Sequence, residues 1–347
     1  MIRTVLVCEA QVPFIHGGAE LHVRGLVAEL QRRGYRADIA SVPFKWYPKG
    51  ELLAQAAAWR MIDLSESNGQ PIDMVVATKF PTYFVRHPNK VIWLFHQYRA
   101  IYDLMGTPYS EFDHTEGDVR LRDTLVALDN EVIPESKRIF TNARNTAARL
   151  AHYNGIEAEP LYHPPPLAGR ITPGPLGDYV LSVGRLEGNK RVELVLRAMA
   201  HAGPRVRLVV VGEGILRTQL EETAAQCGVS DRVTWAGRTD DRTLIGLYAG
   251  ALAIVFPPFD EDYGYITLEA FLARKPVVTT TDAGGPLEFV EDGVTGIIAE
   301  PTPESVGAAI ARLAANRAKA QSLGDAGYDR AHAITWDGVV DRLMAHG

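Results

Sequence analysis

The chain has 347 residues, of which 46% are apolar and 22% charged, an ordinary globular usage that excludes disordered, collagen-like and coiled-coil proteins. This length predicts two domains, each able to bury a core without disulfide or metal staples. Net charge is −6; split after Arg170, the first part carries 19 basic and 19 acidic residues and the second 17 and 23, so neither is the basic body of a nucleic-acid binder.

The opening MIRTVLVCEA runs straight into an apolar strand pattern and lacks a signal-peptide layout. No apolar run approaches the ~20 residues that span a bilayer. A cytoplasmic protein is expected, with peripheral contact at the inner membrane face as the alternative. Cys8 lies in the first strand pattern and Cys227 near a helix end, and both read as buried reduced thiols. No Cys/His group has zinc-finger spacing.

Short Val/Ile/Leu-rich runs then alternate with amphipathic stretches. Strands are predicted at 4–10, 37–42, 74–80, 91–97 and 138–143, and again at 179–185, 206–212, 232–237, 253–258, 276–282 and 296–301. Such runs suit parallel strands covered on both faces. Helical spacing is seen at 19–33, 189–202, 214–227, 240–250, 265–274 and 304–316, and the alternation means parallel α/β units. It breaks at HPPPLAGRITPGPLGD (163–178), where prolines exclude a helix or a central strand. The expected division is an N-terminal domain 1–165, a linker 166–178, a C-terminal domain 179–330 and a final helix within 331–347, capped by Thr335 or Asp337.

Several strand ends carry candidate chemistry. Gly17 and Gly18 precede the first helix, where a tight backbone and free N–H groups suit an anion; an ordinary strand–helix turn is the alternative. The absence of G-x-G-x-x-G there counts against a dinucleotide-binding dehydrogenase. His96 closes the strand VIWLFHQ at the edge where open α/β sheets bind ligands, or is a satisfied, partly buried histidine. In SVGRLEGNKR, Arg185 and Lys190 flank one strand–helix loop of an acidic domain and point to phosphate. VVVGEG, with Gly212 and Gly214, is a weak phosphate-loop fragment or a tight turn. In FPPFDEDYGYITLEAF, Gly264 frees the N–H groups of Tyr265 and Ile266 for a phosphate. Glu269, about one and a half turns further, suits a vicinal diol such as that of ribose, and Glu261 suits sugar hydroxyls.

Taken together, Glu261-x7-Glu269, the following DAGGPLEFVEDGVTG, SVGRLEGNKR, VVVGEG, RVTWAGRTDD and the early HGGAE loop resemble the donor-site signature of retaining GT-B glycosyltransferases of family 4. The resemblance implies two Rossmann-like parallel-sheet domains facing a central cleft, with the last helix crossing back to the first domain. It implies transfer of a sugar from a nucleoside diphosphate sugar, UDP- or GDP-linked, to an acceptor hydroxyl, with no cofactor and no metal. It gives Arg185 and Lys190 the donor diphosphate, Glu269 the ribose and Glu261 the transferred sugar, with backbone contacts from Gly264, Tyr265 and Ile266. Gly17 and Gly18 then close over the diphosphate, His96 lies near the anomeric carbon, and Arg238 stands where the base is recognised. Two departures are Asp262-Tyr263-Gly264-Tyr265 in place of a Gly-Phe-Gly-like stretch, and His163-Pro164-Pro165-Pro166 in place of Pro-Asn-Gly. An epimerase or phosphorylase on the same fold is the alternative. The acceptor is a glycan, lipid-linked or small-molecule hydroxyl. Loops 42–50 and 101–120 are candidates for acceptor or membrane contact, the second as an acceptor-side lid; the alternatives are a solvated loop with a packed Trp46 for 42–50 and a helical insertion for 101–120.

Overall fold

A computed structural model describes residues 2–14 and 17–345. The chain divides into two units, Met1–Pro166 with Thr335–Gly347, and Leu167–Ile334.

The first unit is a parallel sheet built from β1 (Thr4–Gln11), β2 (Arg36–Pro43), β5 (Met74–Lys79), β6 (Lys90–His96), β7 (Arg138–Thr141) and β8 (Glu159–Pro160), in the order β2-β1-β5-β6-β7-β8. A two-stranded hairpin, β3 (Glu66–Ser67) and β4 (Gln70–Pro71), stands apart from it. The helices are α1 (Gly18–Arg32), α2 (Glu51–Met61), α3 (Glu116–Val132) and α4 (Arg144–Asn154). The central strands are buried on both faces, which is why they read as unbroken apolar runs. One face packs Val23, Leu26 and Leu30 of α1 with Trp93 of β6, and the other packs Leu52 and Trp59 of α2 with Leu125 of α3.

The second unit has β9 (Tyr179–Val183), β10 (Arg207–Val211), β11 (Val233–Gly237), β12 (Ala253–Val255), β13 (Val277–Thr280) and β14 (Gly296–Ala299), all parallel, in the order β11-β10-β9-β12-β13-β14. Its helices are α5 (Val192–Ala198), α6 (Arg217–Gln226), α7 (Asp241–Gly250), α8 (Tyr265–Leu272), α9 (Pro303–Ala315) and α10 (Arg317–His332). This doubly wound order reverses direction between β9 and β12, and ligands of such sheets bind outside the strand ends at that point.

The last helix, α11 (Trp336–Met344), belongs to the first unit, where Val339, Val340 and Leu343 join the α1 core and Trp336 packs on Gly25. Thr335 occupies its cap position without a side-chain cap bond, and Asp337 is spent on an ion pair with Arg33. Residues beyond Pro166 in the proline-rich stretch are fastened to the second unit: Lys275 Nζ donates to the carbonyls of Gly174 and Pro175 at 2.7 and 3.1 Å, and Arg317 donates to those of Leu176 and Gly177.

Helices α2, α3, α4 and α10 lie outside the helical stretches expected from the sequence. In α10 the reason is Gly324 and Gly327, which dilute the apolar pattern because a Cβ there would sit 2.2 Å from the Arg274 carbonyl and 2.4 Å from the Phe271 ring. Cys8 is buried as expected, whereas Cys227 is only half-buried. No described helix is long and apolar enough to cross a membrane. Trp46 packs against the α2 side of the core. The 101–120 stretch is a turn-rich loop leading into α3, closed by Lys49 Nζ on Asp118 at 2.7 Å and by Ser110 Oγ donating to Ala100 at 2.9 Å.

Candidate active site

In the second unit, three loops at the carboxyl ends of β9, β12 and β13 are knitted by main-chain bonds. The N–H of Phe259 donates to Asn189 at 2.8 Å, that of Asp260 to Asp282 at 2.9 Å, that of Glu261 to Ala283 at 2.8 Å, and Gly285 returns a bond to Glu261 at 2.7 Å. Arg191 adds a side-chain clamp. Its guanidinium meets the Asp282 carboxylate with two bonds of 2.9 and 2.8 Å and lies 4.9 Å over the Phe259 ring. Arg191 holds a left-handed backbone at φ 51°, an uncommon cost for a residue with a Cβ that the clamp and the ring contact offset.

This framework brings Lys190 and Glu261 together as an ion pair, with side chains only 15% and 17% exposed. Arg185, on the same loop as Lys190, is exposed and pairs with Glu187 at 2.8 Å. Gly264, at φ 81°, starts α8 without a side-chain cap, and Pro286 and Phe256 crowd it, so a side chain there would be strained and pressed. Tyr265 and Ile266 form the first turn of α8. No side-chain cap bond is made at this N-terminus.

Glu269, further along α8, is buried at 7% exposure. Its Oε2 accepts a 2.8 Å bond from the hydroxyl of Tyr248 on α7. Burial pushes its carboxyl up to about 7, with the Tyr248 bond working in the opposite direction and Asp241 adding to the rise. Arg238 follows the end of β11 and is exposed beside Thr239, Asp240, Asp241 and Arg242. Gly212 and Gly214 serve the backbone: a Cβ on them would come within 1.9 Å of the Gly184 carbonyl and 2.4 Å of that of Leu186. They let the β10 loop press the Arg185 loop into place, so the tight-turn reading holds for that motif.

In the first unit, Gly17 caps α1 and Gly18 is its first residue; His16, in the same loop, lies outside the described residues. The Gly17 N–H donates to Glu20 Oε2 at 2.8 Å, and Lys79 Nζ meets Glu20 Oε1 at 3.0 Å. Burial raises the Glu20 carboxyl, but Lys79 and the Gly17 bond hold it below the usual range. Lys79 is paired in register with His96 across β5 and β6, so the glycine turn and His96 share one sheet edge. The half-buried His96 has Nδ1 2.6 Å from the Gln97 carbonyl.

Tyr248 and Lys79 escaped sequence reasoning; Arg191, Asp282 and Glu20 lie within the quoted motifs SVGRLEGNKR, DAGGPLEFVEDGVTG and HGGAE, but were given no role of their own. Among the described residues, no three His, Cys, Asp or Glu side chains are grouped to hold a metal ion.

Comparison with known proteins bears on what this edge does. Residues 176–330 match the family described as Glycosyl transferases group 1. An uncharacterized glycosyltransferase of Methanocaldococcus jannaschii is 26% identical over 340 residues, covering 87% of this chain and 86% of the relative. A D-inositol 3-phosphate glycosyltransferase of Geodermatophilus obscurus is 32% identical over 245 residues, or 62% of this chain; the match spans about half of that relative, 53%. The crystal structure of HepE from Anabaena, in complex with UDP and glucose, superposes with a TM-score of 0.73 at 16% identity, covering 99% of this chain and 100% of HepE. The fold is therefore the GT-B architecture, two Rossmann-like parallel-sheet units. The match to that family lies within the second unit, and the chain is an enzyme of the glycosyl-transferring class.

Proposed function

We propose that the protein is a retaining glycosyltransferase of family 4. It moves a hexosyl unit from a nucleoside diphosphate sugar, UDP- or GDP-linked, to an acceptor hydroxyl in glycan, glycolipid or glycosylated-metabolite biosynthesis. The carrying observation is the Lys190–Glu261 pair at the β9/β12 reversal, followed on α8 by the buried Glu269. One cation for the diphosphate, one carboxylate for the sugar and one for the ribose diol match the three parts of a sugar nucleotide. The UDP and glucose bound in HepE support a sugar-nucleotide donor.

In this reading Lys190 exchanges part of its bond to Glu261 for the donor diphosphate, joined by Arg185 and the N–H groups of Tyr265 and Ile266. These preorganised charges stabilise the diphosphate as the bond from the anomeric carbon to its oxygen breaks. The acceptor oxygen bonds to that carbon from the same face, and its proton passes to the departing phosphate oxygen. Glu261 accepts from the sugar hydroxyls and Glu269 from the ribose hydroxyls. Gly17, Gly18 and His96 add donor contacts, and Arg238 flanks the base. Cationic side chains and amides carry the charge, so turnover in excess EDTA is expected. A strict divalent requirement overturns that part.

The test is incubation with UDP- and GDP-hexoses and a panel of acceptor alcohols, with products read by NMR. A glycoside of unchanged anomeric configuration supports the reading, and an inverted one overturns it.

A further inference from the structure

Glu269 is held by a residue that no motif contains. Tyr248 is 0% exposed, one of the largest fully buried side chains, and its ring cannot turn away without repacking α7. We propose that Tyr248 is the positioning residue for ribose: its hydroxyl, 2.8 Å from Glu269 Oε2, fixes the carboxylate so that Oε1 meets the vicinal diol. The proposal rests on the ribose role given to Glu269 above.

The physical need is clear. An ionised carboxylate taken out of water is costly unless hydrogen bonds satisfy it. Here Tyr248 supplies such a bond to one oxygen and leaves the other for a ligand. The titratable groups facing Glu269 are Asp241 and Tyr248 from α7 and Tyr265 from its own helix, and none of them is a cation. Before a diol arrives burial, the larger effect, favours the protonated form, while the Tyr248 bond favours the ionised one. A diol donating to the carboxylate selects that form, so binding releases a proton. Nucleotide affinity should then fall as the pH drops through about 7, where burial has placed the free carboxyl. Removing the Tyr248 hydroxyl takes away the bond that lowers this value, so the midpoint should move upward. It also frees the carboxylate to rotate, so discrimination between ribose and 2′-deoxyribose should weaken.

The experiment titrates UDP, GDP and their 2′-deoxy counterparts by calorimetry between pH 5.5 and 8.5, using the full chain, Tyr248→Phe, Glu269→Gln and the double variant. The wild type is expected to favour the bound ribonucleotide over its deoxy form by about tenfold or more, the scale of a hydrogen bond to a charged group. Glu269→Gln should abolish that preference. Tyr248→Phe keeps the ring and the packing, and should weaken ribonucleotide binding by about tenfold, reduce the preference and raise the pH midpoint. In the double variant the Tyr248 change should add little. If Tyr248→Phe melts like the wild type and keeps both the preference and the midpoint, Tyr248 has no positioning role while the Glu269 reading stands. If the wild type shows no preference, or none of the four nucleotides binds, both fail. Should Tyr248→Phe not fold, the wild-type pH profile decides: affinity independent of pH across 7 overturns the proposal.

Discussion

Lys190 and Glu261 are ion-paired across two loops of the second unit, 71 residues apart in sequence. The cation assigned to the diphosphate and the carboxylate assigned to the sugar are thus bonded to each other. Deleting either takes the ion-pair partner from the other, poorly solvated charge. Lys190→Ala should lower kcat by roughly 10²–10³-fold, as loss of one preorganised donor does, with a smaller change in KM. Steady-state kinetics on the best donor checks this, and an unchanged kcat removes Lys190 from the chemistry.

Arg191 separates backbone strain from side-chain clamping. Arg191→Gly and Arg191→Ala both lose the Asp282 bonds, but only glycine accepts φ 51° freely. Denaturant melts should find the glycine variant the more stable by about 1 kcal/mol. Both should lose turnover through displacement of the 282–285 loop. Full activity in Arg191→Ala would show that the clamp does not hold the site.

Asp129, buried on α3, accepts a 2.7 Å bond from the Tyr102 hydroxyl, and burial pushes its carboxyl up to about 7. A raised acid favours the folded state at low pH and costs stability as pH rises toward 7. Asp129→Asn should therefore melt higher than the wild type at pH 8, by at least about 2 °C, the shift expected for roughly 1 kcal/mol in a domain the size of the first unit. At pH 4 that advantage should disappear. Thermal melts at the two pH values decide, and an advantage confined to pH 4 would contradict the assignment.

Gly324 and Gly327 let α10 lie directly on the α8 side of the site. Gly324→Ala places a Cβ 2.2 Å from the Arg274 carbonyl, so α10 must move away. The expected cost is about 1–3 kcal/mol, the usual range for overpacking, measured by chemical denaturation. A neutral substitution would show that this contact is loose.

Much of this fold is legible locally. The Val/Ile/Leu runs of β5, β6, β9 and β10 stand out because each strand is covered on both faces. β8 leaves no signal, since the two residues Glu159 and Pro160 have no period to read. The Gly264 turn and Glu269 are visible because they share one short segment around the start of α8. What holds them is not: Tyr248 lies 21 residues from Glu269 and Arg191 lies 91 from Asp282, just as, in the first unit, Lys79 lies 59 from Glu20. A bond between distant side chains has no sequence period, so these partners become visible only once the strands are in order.

The central claim, that the α8 edge binds the nucleotide of a sugar donor, is most directly tested by a thermal-shift titration with UDP, GDP, ADP and dTDP beside Glu269→Ala. Stabilisation by one ribonucleoside diphosphate, lost in the variant, is the predicted result. An equal shift in wild type and variant, or none with any nucleotide at millimolar concentration, would contradict it.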